Sequence, residues 1–542
     1  MQLKKITAIA IAAALSATSY AADTFDMGKV QVVGKDAQST KIDISQHMLS
    51  FTPEDKMNEM PALAPIEGVQ DYRPMTEKKP INTFNKRSDG EVSVAAGIGN
   101  NNGGEFILHG KGNHEGYNGN AMFKTESRKG YKTDTNTKYI GVTGNISTTT
   151  EVGAIFTVDG EISKDDFGIR GTRTNPTPKA SAETAVKRIS FSGSTTQEDG
   201  AYLKGELTVD HLDRDVRSGI VGFLKNQEIF SLGFSGTYLR KSENKFRNRA
   251  TFELKKEDLD ISSERSMDFT KSSVGFGTDY EISQKSNACF GFKLMKSMQR
   301  SSTSPYLTIN HKLSEPWLFT FSYDEDLKND SFEKIFMARH YVESNAKKIV
   351  ASKIKTAKGT FKFKNINGDT FAVDLFTQNE YDAIEYSDQF DPGSNLTGSV
   401  YDFMEAKRTG VILKSNFKVE NHFVFDIDYT FQNPRNENAN RRISYEPRRL
   451  MNVNANYQKN KLDINFSRRV EYDRRARIYI GALPTIQSAS DYSRSDIAFK
   501  YKANETYTAY IKIRDLYDEA KKLRFDVEEE GRVFIGGIEA HF

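Results

Sequence analysis

The chain has one cysteine, one tryptophan, no surplus of charge of either sign and no long apolar run. Each shortage excludes a class of protein. With Cys289 alone, there is neither an intramolecular disulfide nor a multi-cysteine metal or cluster site. The 76 basic and 73 acidic residues leave a formal charge of +3 over 542 residues, so no global basic field points to nucleic acid as a partner. No stretch reaches the ~18 apolar residues of a spanning helix, and the mean hydropathy is −0.61. A helical membrane protein is thereby excluded. A β-barrel is not, because only alternate residues of a barrel strand face lipid. Recognisable chemistry is scarce too. The glycine-rich run Gly97–Gly104 fails both common phosphate-loop patterns, since Asn102 stands where the third glycine belongs and no Gly-Lys-Ser/Thr follows; it reads as a hairpin turn. The eight histidines are scattered without metal spacing, and no serine sits in a Gly-x-Ser-x-Gly elbow. The reading is therefore no catalytic residue, no metal, no cofactor and no enzyme.

What is abundant is aromatic residues and alternation. There are 36 Phe and 24 Tyr, the composition of aromatic girdles at a membrane interface. Phe423, Phe425, Ile427, Tyr429 and Phe431 alternate with Val424, Asp426, Asp428 and Thr430; Leu203, Gly205, Leu207 and Val209 alternate with Lys204, Glu206, Thr208 and Asp210; and Met451, Val453, Ala455 and Tyr457 alternate with Asn452, Asn454 and Asn456. Apolar-out, polar-in alternation over about ten residues is the signature of a transmembrane antiparallel β-barrel. Tight connections recur near 148–151, 196–200, 241–245, 284–287, 313–316, 366–369, 419–421, 458–461 and 502–505. Longer polar stretches lie between them, at 163–184, 212–226, 327–355, 381–408, 433–447, 473–492 and 516–531. With first hairpins at Gly99–Gly104 and Asn113–Tyr117, the pattern predicts about 22 strands, the size of outer-membrane transporters, in an all-β chain.

The last strand carries the family signal. From Phe542 backwards, Ala540, Ile538, Gly536 and Phe534 form one face, and the chain ends on an aromatic ring; Phe534, Ile538 and Phe542 are the candidate assembly signal. Ile511-Lys512-Ile513-Arg514-Asp515-Leu516-Tyr517-Asp518, followed by Gly531-Arg532-Val533-Phe534, resembles the closing strands of TonB-dependent outer-membrane receptors. Asp515 stands where that family usually has Asn, and Tyr517 replaces Phe. The resemblance implies an outer-membrane barrel for uptake of a scarce solute: a metal chelate, a corrinoid or a glycan.

 The function the resemblance implies is receptor-mediated import of a solute too large or too rare to enter through porins, by a monomer embedded among outer-membrane lipids and lipopolysaccharide.

At the other end, Met1 to about Ala21 reads as an export signal, with Lys4 and Lys5 before an apolar core and Ser19-Tyr20-Ala21 as the cleavage site. Residues 22–34 follow as an isolated β-prone segment that can add to a sheet edge of another protein. It resembles a TonB box, which implies Phe25, Asp26, Met27, Val30, Val32 and Val33 as contacts to TonB. Residues 35–90 hold five of the thirteen prolines and read as an extended tether or vestigial plug, far shorter than the plug domain of that family. The barrel is expected over 91–542. This shortfall keeps two alternatives open: a plugless passive or loop-gated channel, which requires 327–355 and 381–408 to fold inward, and a scaffold for a partner protein.

One cluster exceeds background. Arg441, Arg442, Arg448, Arg449, Arg468, Arg469, Arg474, Arg475 and Arg477 fall in one hairpin and its adjoining loops. Alternation places Arg449 and Arg468 outward, roughly opposite each other, where paired guanidiniums suit lipopolysaccharide phosphates. It places Arg448 and Arg469 inward, where they draw an anionic solute or else pair with loop carboxylates such as Glu380, Asp382, Glu385 and Asp388. Arg474 and Arg475 complete the candidate ligand or lipopolysaccharide contacts.

Overall fold

The computed structural model describes residues 89–542 apart from parts of the strand connections. The export signal, the box-like segment and the proline-rich stretch to residue 88 lie outside the described residues, as do 329–349.

Alternation resolves into one sheet of 25 strands, antiparallel except for one short parallel pairing at its outer end. Three of these, Arg441–Arg442, Arg475–Ile480 and Leu483–Ser488, belong to connections. The other 22 are staves of a closed barrel. Closure joins the first strand, Asp89–Gly99, to the last, Val533–His541, from Ser93↔His541 to Gly99↔Ile535. Beyond that ladder, the Phe542 amide donates to the Val92 carbonyl at 2.7 Å and the Val92 amide donates back at 3.0 Å. Among the described residues, none of the 22 staves is left as an edge of the barrel.

The turns near Ser283–Ser286, Ser314–Trp317 and Lys459–Leu462 lie at the end of the barrel that holds both Asp89 and Phe542. The longer connections lie at the opposite end. Outward positions between the two ends are apolar and exposed, among them Ile146, Phe156, Phe191, Leu254, Phe276 and Leu375. At the turn end, Tyr117, Phe246, Trp317, Tyr501, Tyr507 and Phe542 add exposed rings. An apolar belt with an aromatic girdle around a closed sheet is the surface of a barrel that spans an outer membrane. Localisation follows from that belt: the chain is an outer-membrane protein.

The inner wall is polar and largely self-neutralised. Arg188 lies between Asp210 at 2.7 Å and Glu161 at 3.6 Å, on three neighbouring strands. Asp374 takes Lys358 at 3.3 Å and Lys414 at 3.5 Å. At the seam, Lys512 meets Glu105 at 2.7 Å. Beside it the Tyr510 ring lies flat on the wall, and a Cβ at Gly537 would stand 2.4 Å from its hydroxyl oxygen. Glycine is required at that position because the Ala96 carbonyl and the ring together occupy the space of a side chain.

One expectation about the connections is corrected. The stretch 381–408 is not a loop: Thr370–Asp391 and Leu396–Val419 are the two longest strands among the described residues, at 22 and 24 residues, and they pair to their tips. Their register shifts between Glu380 and Ala383, where Asp382 has φ of 56°. A bulge of this kind bends a strand and increases its twist. Below it the hairpin is part of the wall. Above it, Ile384, Tyr386, Tyr401 and Phe403 pack on Leu212, Ile229, Leu259, Ile261 and Phe269. Those partners face the lumen from strands Tyr202–Ser218, Gln227–Lys241, Phe246–Ile261 and Arg265–Ser283. The hairpin therefore leans across the mouth, because these lumen-facing apolar side chains can leave water only beneath it. Full burial of each such side chain contributes about 1.5–3 kcal/mol, and Leu259 and Ile261 are exposed by no more than 1%.

Candidate functional site

The site is the mouth of the barrel at the end opposite Asp89 and Phe542, and it is closed by a small sheet. The strand Arg475–Ile480 pairs in parallel with the tip of the long hairpin, Asp388↔Ile478 to Phe390↔Ile480, and antiparallel with Leu483–Ser488. Two connections from different parts of the wall thus make a four-stranded lid. The connection 437–448 is bound beneath it: the Tyr445 amide donates to the Arg475 carbonyl at 2.6 Å, and the Arg477 amide donates to Ser444 Oγ at 3.0 Å.

Glu385 is the centre of the latch. It is 2% exposed and accepts from Arg441 through both guanidinium nitrogens, at 2.6 and 2.5 Å. Asn436 Nδ2 donates to it at 3.0 Å and the Ser444 amide at 2.8 Å, and Arg477 lies 3.9 Å away. A bidentate, fully hydrogen-bonded carboxylate of this kind is the arrangement in which a buried ion pair holds geometry. One residue row on, the Tyr445 hydroxyl donates to Asp388. Tyr445 has φ of 62°, a left-handed conformation that a bulky residue holds only where its surroundings impose it. Below the bulge, Arg408 joins the Glu446 carboxylate at 2.8 and 3.1 Å to Glu380 at 2.9 Å. Arg300 pairs with Asp382 at the bend itself.

The candidate arginines fall into three groups. Arg448 lies 3.5 Å from Asp473, which also takes Arg442 at 2.6 Å. Arg469 reaches Glu471 at 2.8 Å, and Arg474 lies 3.5 Å from the same carboxylate with its guanidinium over the rings of Tyr445 and Tyr492. These inward arginines are engaged within the mouth. The four carboxylates expected to serve them are held by other groups: Glu380 by Arg408, Asp382 by Arg300, Glu385 by Arg441 and Arg477, and Asp388 by Tyr445. Arg449 and Arg468 occupy the outward face, over Tyr472 and Tyr517. They are not opposite each other. Arg449 pairs with Tyr472 and Arg468 with Val453, four residues apart along the ladder. Arg475 is exposed on the lid. Phe534, Ile538 and Phe542 are exposed on the outer face of the closing strand. Phe25, Asp26, Met27, Val30, Val32 and Val33 lie outside the described residues.

Arg408, Tyr445 and Glu446 carry the mouth together with Glu385 and have no place in the sequence reading, which names Glu385 only as one of four carboxylates for the inward arginines. A signal existed: Ile384 and Tyr386 alternate before Asp391-Pro392-Gly393, and Tyr401 and Phe403 alternate after it, the mark of a hairpin. The arginine cluster is the more conspicuous feature of the sequence, although its partners are distant along the chain; Arg441 and Glu385 are 56 residues apart.

No family model and no curated protein sequence matches the chain. Solved structures do. The siderophore receptor PirA from Acinetobacter baumannii superposes with a TM-score of 0.65 at 11% identity, covering 84% of this chain and 81% of that one. The FrpB iron transporter from Neisseria meningitidis gives 0.65 at 13% identity, over 84% and 82%. The copper transporter OprC gives 0.66 at 10% identity, over 84% and 80%. The barrel therefore has the fold of TonB-dependent outer-membrane receptors. The inference from missing catalytic motifs to "not an enzyme" needs correction: what stands is the narrower finding that these structural neighbours are receptors and transporters.

Proposed function

We propose that the chain is a receptor-like outer-membrane uptake barrel for a scarce solute, gated at its outer mouth by its own lid. The observation that carries this reading is the four-stranded lid latched at Glu385. A general diffusion pore has no use for a mouth closed by its own hairpins, whereas a receptor needs a closed state that a solute or an energised partner releases. The receptor fold of the barrel supports the same reading. Its structural neighbours include a siderophore receptor, an iron transporter and a copper transporter, which makes metal ions and metal chelates the first solutes to test. In this reading Asp26 to Gly34 recruits TonB by strand addition. A second reading, a channel gated by the lid alone, draws on the brevity of residues 35–90.

The test uses Gram-negative cells expressing the full chain and offered radiolabelled iron(III) chelates, copper and a corrinoid. Accumulation of one class above the empty-vector level, lost when residues 26–34 are deleted, is the expected result. Accumulation that survives the deletion selects the lid-gated channel. Steady conductance of the intact purified chain in planar bilayers overturns gating altogether.

A further inference from the structure

On the outer surface, Lys407 and Arg435 are exposed and directly opposite each other on adjacent strands. Two cations facing across a ladder repel. Arg435 Nη2 donates to Asn440, and no carboxylate among the described residues is within ion-pair distance of Lys407, Arg435 or neighbouring Arg449. The nearest exposed acidic positions, Glu405 on one strand and Glu437 just past the end of the other, lie two residues further out. Below the cations the same two strands present Thr409 opposite Asn433, then Val411 opposite Phe431, which is 49% exposed, then Leu413 opposite Tyr429. From the mouth inward, the surface thus runs cationic, hydrogen-bonding, apolar. Arg449 borders it, directly opposite Phe431 on the next strand.

The height is right for a headgroup. Lys407 is twelve residues from Val419 and Arg435 twelve from Phe423, the ends of their strands at the turn side. At ~3.3 Å per residue and a tilt of ~40°, that is ~30 Å above the turn end, against an apolar band ~25 Å tall. By the same measure Arg449, ten residues from Lys459, reaches the upper edge of the band. Arg468, six residues from Leu462, lies within it and is a separate feature stacked on Tyr517.

We propose that Lys407, Arg435 and Arg449 form a binding site for a phosphorylated glycolipid of the outer leaflet, the lipid A part of lipopolysaccharide. Its phosphate bridges Lys407 and Arg435, relieving their repulsion, and Arg449 flanks it. Its amide and hydroxyl groups meet Thr409 and Asn433, and an acyl chain lies on Val411 and Phe431. Only an amphiphile with this order of groups matches all three layers.

The experiment compares the full chain with the double variant Lys407→Gln, Arg435→Gln and the charge-retaining Lys407→Arg, Arg435→Lys. All three are reconstituted in nanodiscs and titrated with bisphosphorylated lipid A, dephosphorylated lipid A and phosphatidylglycerol. Heat-modifiability confirms that each barrel is folded. The wild type is expected to bind bisphosphorylated lipid A roughly tenfold more tightly than the glutamine variant, a difference of about 1.4 kcal/mol. The charge-retaining variant should match the wild type, and dephosphorylated lipid A should bind wild type and glutamine variant alike. Equal binding of bisphosphorylated lipid A to wild type and glutamine variant overturns the site. Equal binding of phosphatidylglycerol and lipid A to the wild type overturns the identity of the lipid.

Discussion

Glu385 is where a single atom change should have the largest effect. It is buried, and its four hydrogen bonds all come from the 436–444 segment. Removing the carboxylate leaves Arg441 without its partner, and breaking a buried pair by deleting one side costs about 3–5 kcal/mol. We expect Glu385→Ala to release the lid while the barrel still assembles, read as ion conductance in planar bilayers where the wild type is silent. Tyr445→Phe should be milder. It keeps the ring over Arg474 and loses only the bond to Asp388. Asp473 supplies a pH test. The hydrogen bond from Arg442, with Arg448 nearby, holds its carboxyl below the ordinary aspartate range. A depressed carboxyl contributes stability that is full above its unfolded value of about 3.9 and is lost as pH falls through the lower folded value. Conductance should therefore stay unchanged from pH 7 to 5 and rise only below about 3.9. An Asp473→Asn variant should lose that acid step; a step that persists places the acid sensitivity elsewhere.

The long hairpin shows what one inserted residue does to an element. Below Asp382 its alternation serves the wall, with outward Phe371 and Leu375 exposed to lipid and inward Asp374 buried. Above the bulge the same alternation serves the lid, with Ile384 and Tyr386 on the opposite inner wall. Deleting Asp382 removes the register shift and should keep the upper hairpin in line with the wall. The expected outcome is a folded barrel with an open mouth, seen as conductance together with new protease cleavage between 383 and 406. Leu259→Asn attacks the contact from the other side by placing an amide where the lid buries apolar surface. It should give the same opening without touching the hairpin. Failure of both variants to conduct would mean that the hairpin is not what closes the mouth.

At the scale of the whole molecule, closure depends on the seam between the first and last strands. The backbone of Phe542 pairs with Val92 in both directions, and its ring stands 56% exposed in the lower girdle. Deleting Phe542 removes both bonds and the ring. The yield of heat-modifiable barrel in outer-membrane fractions should fall sharply; undiminished yield would show that the terminal residue has no part in assembly.

The barrel itself was legible in the sequence. Lipid imposes apolar residues at every second position, and turns need particular residues, so staves and hairpins are local signals that a chain writes one segment at a time. Strand number, the facing of Phe534, Ile538 and Phe542, and the outward side of Arg449 and Arg468 all follow from period two. What fills the mouth did not follow from it. The 381–408 stretch is polar enough to resemble a loop because above the belt no lipid demands a continuous apolar face. Whether Arg448 or Arg469 is available to a solute depends on which carboxylates come near it, and that is set by folding rather than spacing: Glu471 and Asp473 take them, while Glu385 takes Arg441 from 56 residues away. Period two identified the wall because each wall residue answers to its own surroundings, lipid or lumen. Only the tertiary structure decided the lid, because each of its contacts needs two distant segments in place at once.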